Sequence, residues 1–275
     1  MNYRHAFHAG NHTEVFKHAA LMLVLDHLAK KDQGFVVLDT HAGLGVYDLT
    51  CEAAQKTLEY EAGAAKVFGQ DLPSAPGYPA LLAEMNPGGL LTTYPGSPEI
   101  VRRLLRPQDR LIACELHPAD VEVLRDRYGH EPQVGVHHRD GYEAIGAFTP
   151  PPERRGLVFI DPPYEKTDEA AVLVRAMAKG LRKWPTGIFL AWYPIKDRAI
   201  AETLADAAVA TPFPKTLRAE FQIRPRDDQT LTGGGILVCN APWKLDEALA
   251  ALGADLGRLL GTGEASCRVD WLTPG

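Results

Sequence analysis

The chain has 275 residues, 45% hydrophobic and 23% charged, which is the balance of an ordinary globular protein with ample material for a core. A formal net charge of -6 gives no general affinity for nucleic acid, so any contact with phosphates has to come from local clusters of Lys and Arg. The opening "MNYRHAFHAGNH" is too polar for a signal peptide, and apolar runs such as "ALMLVL" fall far short of the ~20 residues that span a bilayer. A cytoplasmic location without membrane contact is expected. Cys51, Cys114, Cys239 and Cys267 form no C-x-x-C pair, which argues against a zinc ribbon or a disulfide framework; reduced thiols and no bound metal are expected.

In chain order, residues 13 to 30 place Phe16, Ala19, Ala20, Leu23, Val24 and Leu28 at helical spacing, with Asn11 three before Glu14 as a capping-box-like start and Gly34 ending the region. "FVVLDTHAGLG" is a buried strand ending at Asp39, followed by a turn with Gly43 and Gly45. Glycines there let the backbone approach a ligand closely, although a plain strand-to-helix turn explains them equally. "LIACELHP", "VGVHHRDG", "LVFIDPPY" and "GIFLAWYPIK" repeat the theme of an apolar run followed by polar residues. Helical patterns at 98 to 106, 118 to 128 and 167 to 183 lie between them, so a parallel sheet is implied.

"TLRAEFQI" and "GGGILVCNAPW" read as two strands with only the polar "RPRDDQTLTGG" between them, an antiparallel hairpin at one edge of a seven-stranded sheet. Basic residues gather in "VRRLLRPQDR", at Arg154 and Arg155, at Arg182 and Lys183, and in "IRPRDD". Solvated helix faces and strand edges account for most of these, with a local basic face still available to RNA.

Glu115, at the end of "LIACE", has the position of an acid that accepts from ribose hydroxyls, usually about 20 residues beyond the glycine turn. Here the gap is about 70 residues. Either the acid is unrelated, or residues 46 to 95 are inserted. That segment is helix-rich and punctuated by "DLPSAPG" and "NPGG", with no strand as convincing as its neighbours. The expected division is therefore 1–45 with 96–275 as the main domain and 46–95 as an inserted helical subdomain. Ser97 is expected to be a helix N-cap, with Pro98 in the first turn. Asp140 and Asp161 complete a set of three acids at one sheet edge, which favours a polar ligand there.

The turn "DPPY" itself has a chemistry. An exocyclic amine on an aromatic base is a poor nucleophile, because its lone pair is delocalised into the ring. The Asp161 carboxylate and the Pro162 carbonyl offer two acceptors for its hydrogens, Tyr164 offers a stacking face worth about 1 to 3 kcal/mol, and the prolines fix the geometry in advance. The other reading is a strand-ending turn alone.

D-P-P-Y after a strand, with "DTHAGLG" in the first turn, resembles the class I S-adenosylmethionine-dependent amino-methyltransferases. The motifs "YRHAFHAGNHTEVFKHAAL", "LDTHAGLGVYDL", "YPGSP", "ELHP", "DPPYE", "WYPI" and "APWKL" resemble, in order and over essentially the whole chain, the bacterial 23S ribosomal RNA adenine-N6 methyltransferase family called RlmJ. The resemblance implies a Rossmann-like domain with a helical insertion, acting as a monomer on one adenine of 23S ribosomal RNA with S-adenosylmethionine as methyl donor. It implies that His18, His41, Gly43, Ser97, Glu115, Asp140, Gly141 and Asp161 meet the cofactor. Asp161, Pro162 and Tyr164 would carry catalysis, and Tyr3, His5, Lys17 and Tyr164 would meet the substrate. Where similar proteins show N-P-P-W, this chain has Asn240, Ala241, Pro242 and Trp243, so the last hairpin is expected to be structural.

Three other readings compete. A DNA adenine-N6 or cytosine-N4 methylase shares the D-P-P-Y chemistry, but an insertion of about 50 residues is small for a target-recognition domain. A non-catalytic RNA-binding protein on the same fold does not explain the intact Gly43, Gly45, Glu115 and Asp161. A dehydrogenase lacks the third glycine of its fingerprint.

Overall fold

The computed structural model describes residues 5–196, 198–211, 213–227 and 229–274. Helix α1 (His12–Ala29) leads into β1 (Val36–Asp39). Next, β2 (Val46–Asp48) and β3 (Thr93–Pro95) pair antiparallel around α2 (Glu52–Thr57), α3 (Ala64–Val67) and α4 (Gly77–Met85). Helices and strands then alternate through α5 (Ser97–Leu104), β4 (Arg110–Glu115), α6 (Pro118–Tyr128), β5 (Val134–His138), α7 (Gly141–Phe148), β6 (Gly156–Ile160), α8 (Glu169–Lys183) and β7 (Ile188–Ile195). The described chain closes with α9 (Arg198–Ala210), β8 (Leu217–Gln222), β9 (Gly233–Cys239), α10 (Leu245–Leu260) and β10 (Ser266–Trp271).

The main sheet has the order β10-β8-β9-β7-β6-β1-β4-β5, parallel from β5 to β7 and antiparallel beyond. Strands β1 and β6 are buried at every residue, as continuous apolar runs in a parallel sheet must be. Their side chains alternate: Val37, Leu157 and Phe159 join the apolar cluster that includes α1 and α10, while Val36, Leu38, Val158 and Ile160 join the one that includes α7 and α8.

The sheet has eight strands rather than the expected seven. The additional one, β10, pairs with β8 and carries Arg268 and Asp270 on a short, half-exposed edge, so it has no apolar run to announce it. Arg218 directly opposes Asp270 across the two strands, and their side chains meet at 2.7 Å. The hairpin of β8 and β9 is as expected, with β9 inside and β10 covering β8.

Helix α1 starts where the sequence indicates. The Asn11 side-chain oxygen accepts from the backbone N–H groups of Thr13 and Glu14, each at 3.0 Å. Glu14 does not complete the expected capping box, because its carboxylate turns away to other partners. The helix ends at Ala29, ahead of Gly34, with the Lys30 N–H bonded to the His27 carbonyl. Packed against β9, α4, α5 and α10, α1 is buried on nearly all sides.

The segment 46–95 contains two strands of three residues each, in addition to its helices. Its Leu72, Tyr78 and Leu82 are part of the same apolar cluster as α1 and α10, and the Ser74 N–H donates to Asp255 of α10 at 2.9 Å. Asn86 closes the segment. Its amide donates to the Leu82 and Thr93 carbonyls at 2.8 and 2.9 Å and accepts from the Thr92 and Thr93 N–H groups at 2.9 Å. Asn86→Ala leaves the buried Leu82 carbonyl and the part-buried Thr92 and Thr93 groups without this partner, so unfolding stability is expected to fall by about 1 to 2 kcal/mol. Urea denaturation of the two proteins measures this, and an unchanged midpoint would refute it.

Candidate active site

Strand β1 is where the strand order reverses, with β4 and β5 on one side and β6 and β7 on the other. Open α/β sheets bind ligands at that point, beyond the carboxyl ends of the strands. A cleft of about 670 Å³ opens there, and its walls include His18, His41, Gly43, Ser97, Glu115, Asp161 and Pro162.

The turn after β1 hangs from both neighbouring strands: the Thr40 N–H donates to the Phe159 carbonyl at 3.1 Å and that of Ala42 to the Cys114 carbonyl at 2.9 Å. Gly43 and Gly45 adopt φ of +60° and +76°. A Cβ would lie 2.3 Å from the Tyr47 hydroxyl at the first and 2.5 Å from the Tyr128 hydroxyl at the second, so both positions require glycine. Glu115 accepts from the Gly43 N–H at 2.8 Å through one oxygen and from the His117 N–H at 2.7 Å through the other. These backbone donors fix the carboxylate at the rim and leave it lone pairs for ligand hydroxyls.

Gly96, with extended backbone, occupies the cap position of α5, and Ser97 is the first helical residue rather than the N-cap. Complete burial pushes the Asp39 carboxyl up to about 7, and the neighbouring Ser97 hydroxyl acts against that rise.

Asp140 caps α7 by accepting from the Tyr142 and Glu143 N–H groups at 2.9 and 3.0 Å. A Cβ on Gly141 would meet the Thr40 carbonyl at 2.3 Å, so this glycine lets α7 close against the β1 turn. These two residues stand behind the cleft rather than in its wall.

His41 places Nδ1 2.8 Å from the Thr40 hydroxyl, with its ring edge to Tyr142. Burial lowers its pKa to about 4 against the pull of Asp140. His18 places Nδ1 2.9 Å from the Tyr94 hydroxyl, and burial lowers its pKa to about 3 against the pull of Glu14. Both rings are neutral at physiological pH.

A second cleft of about 630 Å³, walled by His5, Glu14, Lys17, Asp161, Pro163, Tyr164 and Trp192 among others, shares His5, Asp161 and Pro163 with the first. After β6, the two prolines turn the chain so that Tyr164 adopts φ of +50°, a conformation that costs an aromatic residue about 1 to 3 kcal/mol. Its hydroxyl donates to the Trp192 carbonyl at 2.8 Å, and the two rings meet edge to face at 5.9 Å.

At the junction, the Lys17 ammonium donates to both Glu14 and Asp161 and lies 5.2 Å from the centre of the Trp192 ring. His5 Nε2 is 2.8 Å from Glu14. Burial alone would lower the Lys17 pKa, and Asp161 and Glu14 together hold it above its ordinary value. The Asp161 carboxyl is raised by burial and by Glu14 against the pull of Lys17, whereas Glu14, beside His5, Lys17 and His18, is held well below the usual carboxylate range despite burial. Tyr3, expected to meet the substrate, lies outside the described residues.

The sequence model described as "Ribosomal RNA large subunit methyltransferase D, RlmJ" matches residues 32–273. The chain belongs to that family. Proteins named ribosomal RNA large subunit methyltransferase J from Haemophilus influenzae and Escherichia coli are each 40% identical over 279 aligned residues, covering 100% of this chain and 99% of theirs. A crystal structure from Legionella pneumophila is 33% identical, with a TM-score of 0.89 over 96% of this chain and 98% of that one. A probable spermidine synthase from Corynebacterium glutamicum, 13% identical with a TM-score of 0.50 over 94% of this chain and 75% of its own, shares the fold.

In this chain, the first cleft thus gathers six of the eight residues expected to meet the cofactor, His18, His41, Gly43, Ser97, Glu115 and Asp161, together with Pro162 and His5. The second gathers His5, Lys17, Asp161 and Tyr164. Sequence reasoning missed Glu14, Asp39, Tyr47 and Trp192. For Glu14 there was a signal, since its i,i+3 spacing to Lys17 is that of a helical ion pair; Tyr47 and Trp192 reach the site through tertiary packing alone.

His12 and His18 stay neutral in the folded protein, with pKa values lowered by burial from 6.5 to about 4 and about 3. The unfolded chain takes up their protons below pH 6.5, so stability that is complete above this value is lost as the pH falls toward 4. Asp39 opposes part of that loss, because its folded carboxyl holds a proton up to about 7 that the unfolded chain releases. The urea midpoint is expected to drop between pH 7 and 5, and His18→Gln to reduce the slope by about one proton, or about 1.4 kcal/mol per pH unit. An unaltered slope in the variant would contradict the assignment.

Proposed function

We propose that this chain is an S-adenosylmethionine-dependent ribosomal RNA methyltransferase that places a methyl group on the exocyclic N6 of one adenine in 23S ribosomal RNA. It acts as a monomer in the cytoplasm. The observation that carries the reading is the meeting of two clefts at one carboxylate, Asp161. The names of the curated relatives, identical at 40% over their full length, support ribosomal RNA as the substrate class.

The first cleft fits an adenosyl cofactor. Glu115 has free lone pairs at the rim for a vicinal diol, the glycine turn admits no Cβ, and the buried His18 ring forms part of the wall. His41, Gly43, Ser97 and Asp161 complete the wall, while Asp140 and Gly141 act from behind it. When bound, the cofactor supplies an electrophilic methyl group.

The second cleft receives the base. Tyr164 and Trp192 offer aromatic surface, with His5 and Lys17 at the edge. Asp161 and the Pro162 carbonyl accept from the two amine hydrogens, which localises the nitrogen lone pair toward the neighbouring cleft. As carbon is transferred, the nitrogen becomes more acidic and gives up one proton to Asp161. Lys17 steadies the carboxylate before that step, and Glu14 retains the ammonium afterwards. The segment 46–95, as an inserted subdomain, extends the surface open to RNA beside the clefts.

Labelled-methyl transfer to protein-free 23S ribosomal RNA, followed by nucleoside analysis, tests this reading. N6-methyladenosine at one site is expected. Asp161→Asn should lower kcat by at least about 100-fold while keeping cofactor affinity. Glu115→Ala should weaken cofactor binding about 10- to 100-fold. Labelling of DNA in place of RNA would point to the DNA methylase reading and overturn this one.

A further inference from the structure

One ring nitrogen of His18 enters a closed chain of hydroxyl groups, and the ring also forms part of the wall of the first cleft. His18 Nδ1 is 2.9 Å from the Tyr94 hydroxyl, which is 3.0 Å from the Tyr78 hydroxyl. Tyr78 and Tyr94 are fully buried, and among the described residues their hydroxyls have no partners beyond this chain. Burial holds both phenols far above their ordinary pKa, so each carries its one proton throughout the physiological range.

Three heteroatoms in a row can be connected in two directions. If His18 donated from Nδ1, Tyr94 would donate to Tyr78, and the Tyr78 hydroxyl hydrogen would be buried with no acceptor. The bare Nε2 lone pair would also face a Glu14 carboxylate oxygen 3.9 Å away. If Tyr78 donates to Tyr94 and Tyr94 to Nδ1, both hydroxyl hydrogens have acceptors, and the Nε2–H faces that carboxylate from 3.9 Å, too far for a hydrogen bond, so it is left for a ligand. An unsatisfied buried donor costs about 1 to 3 kcal/mol, which selects the second direction by at least several-fold.

We infer that the Tyr78–Tyr94 pair locks His18 in the Nε2–H tautomer, so that Tyr94 is a positioning residue which presents a fixed neutral N–H donor to an anionic group in the first cleft. Under the function proposed above, on which this ligand assignment rests, that group is the carboxylate of the cofactor's methionyl end. The tautomer follows from the chain of hydroxyls and does not depend on the ligand. The donor needs no proton from solution, and both tyrosines come from the segment 46–95, which also contributes Tyr47 to the wall of this cleft.

Nitrogen-detected NMR of ¹⁵N-histidine protein without ligand reads the tautomer directly, with His18 assigned by its disappearance in His18→Gln. An Nε2–H ring at neutral pH that becomes a mixture in Tyr94→Phe is the expected result; an Nδ1–H ring, or one indifferent to Tyr94→Phe, overturns the inference. Calorimetric binding of S-adenosylmethionine adds the ligand. Tyr94→Phe should weaken it about 5- to 10-fold, whereas Tyr78→Phe, which leaves Tyr94 free to donate to His18, should stay within about 2-fold and serves as the control for damage to the fold. In a His18→Gln background, where no tautomer exists, the Tyr94→Phe effect should vanish; its persistence counts against the inference. A wild-type protein with the Nε2–H ring but no affinity for the cofactor would overturn the ligand assignment and the cofactor reading while supporting the tautomer.

Discussion

The structure turns on one ammonium group. Lys17 is buried in the middle of two carboxylates, one from its own helix and one from the end of β6, and a buried charge is tolerable only when its partners are in place. This requirement ties α1 to the carboxyl edge of the sheet at the point where the strand order reverses. A well-packed apolar residue would serve stability as well or better, so the charge is understood through what it does to Asp161. It holds an acid beside the base cleft as a carboxylate, in surroundings that would otherwise favour the neutral form. The strained backbone of Tyr164 and the paired prolines belong to the same arrangement, since they place the acid and the aromatic face together before any substrate arrives.

Much of this was legible in the amino-acid sequence, and the reason is periodicity and punctuation. The runs that became β1, β4, β5, β6 and β7 are apolar and bounded by breakers, and β8 and β9 are separated by a polar turn too short in pattern for a helix. Residues whose chemistry depends on a strand end were therefore placed correctly at one sheet edge: Glu115, Asp140 and Asp161. What failed was whatever depends on a single rotamer or backbone angle. Ser97 looked like a cap because of the proline after it, but the cap position falls one residue earlier, at Gly96, and Ser97 is already helical. Glu14 looked like half of a capping box, yet an ammonium three residues on is a stronger partner than a backbone N–H. The strand β10 was hidden because an edge strand is kept polar to prevent it from pairing with other chains.

The segment 46–95 shows a different limit. The displaced acid and the turn residues suggested an insertion there, whereas its integration left no mark in the sequence. Nothing in the sequence singles out Tyr78 and Tyr94; that their hydroxyls continue a chain to a cleft histidine is a fact of packing. The segment shares the apolar cluster of α1 and α10, so it is stabilised by the body of the protein rather than by a core of its own.

Helix α1 lies against β9 and α10, more than two hundred residues away along the chain. During synthesis the ribosome delivers α1 long before these partners. The chain therefore cannot bury α1 as it emerges, and Lys17 remains solvated until β6 brings Asp161 to it. Contacts of such long range have a high closure cost and form late. Folding and the assembly of the charge cluster thus become the same event, completed only after β9 and α10 have been made.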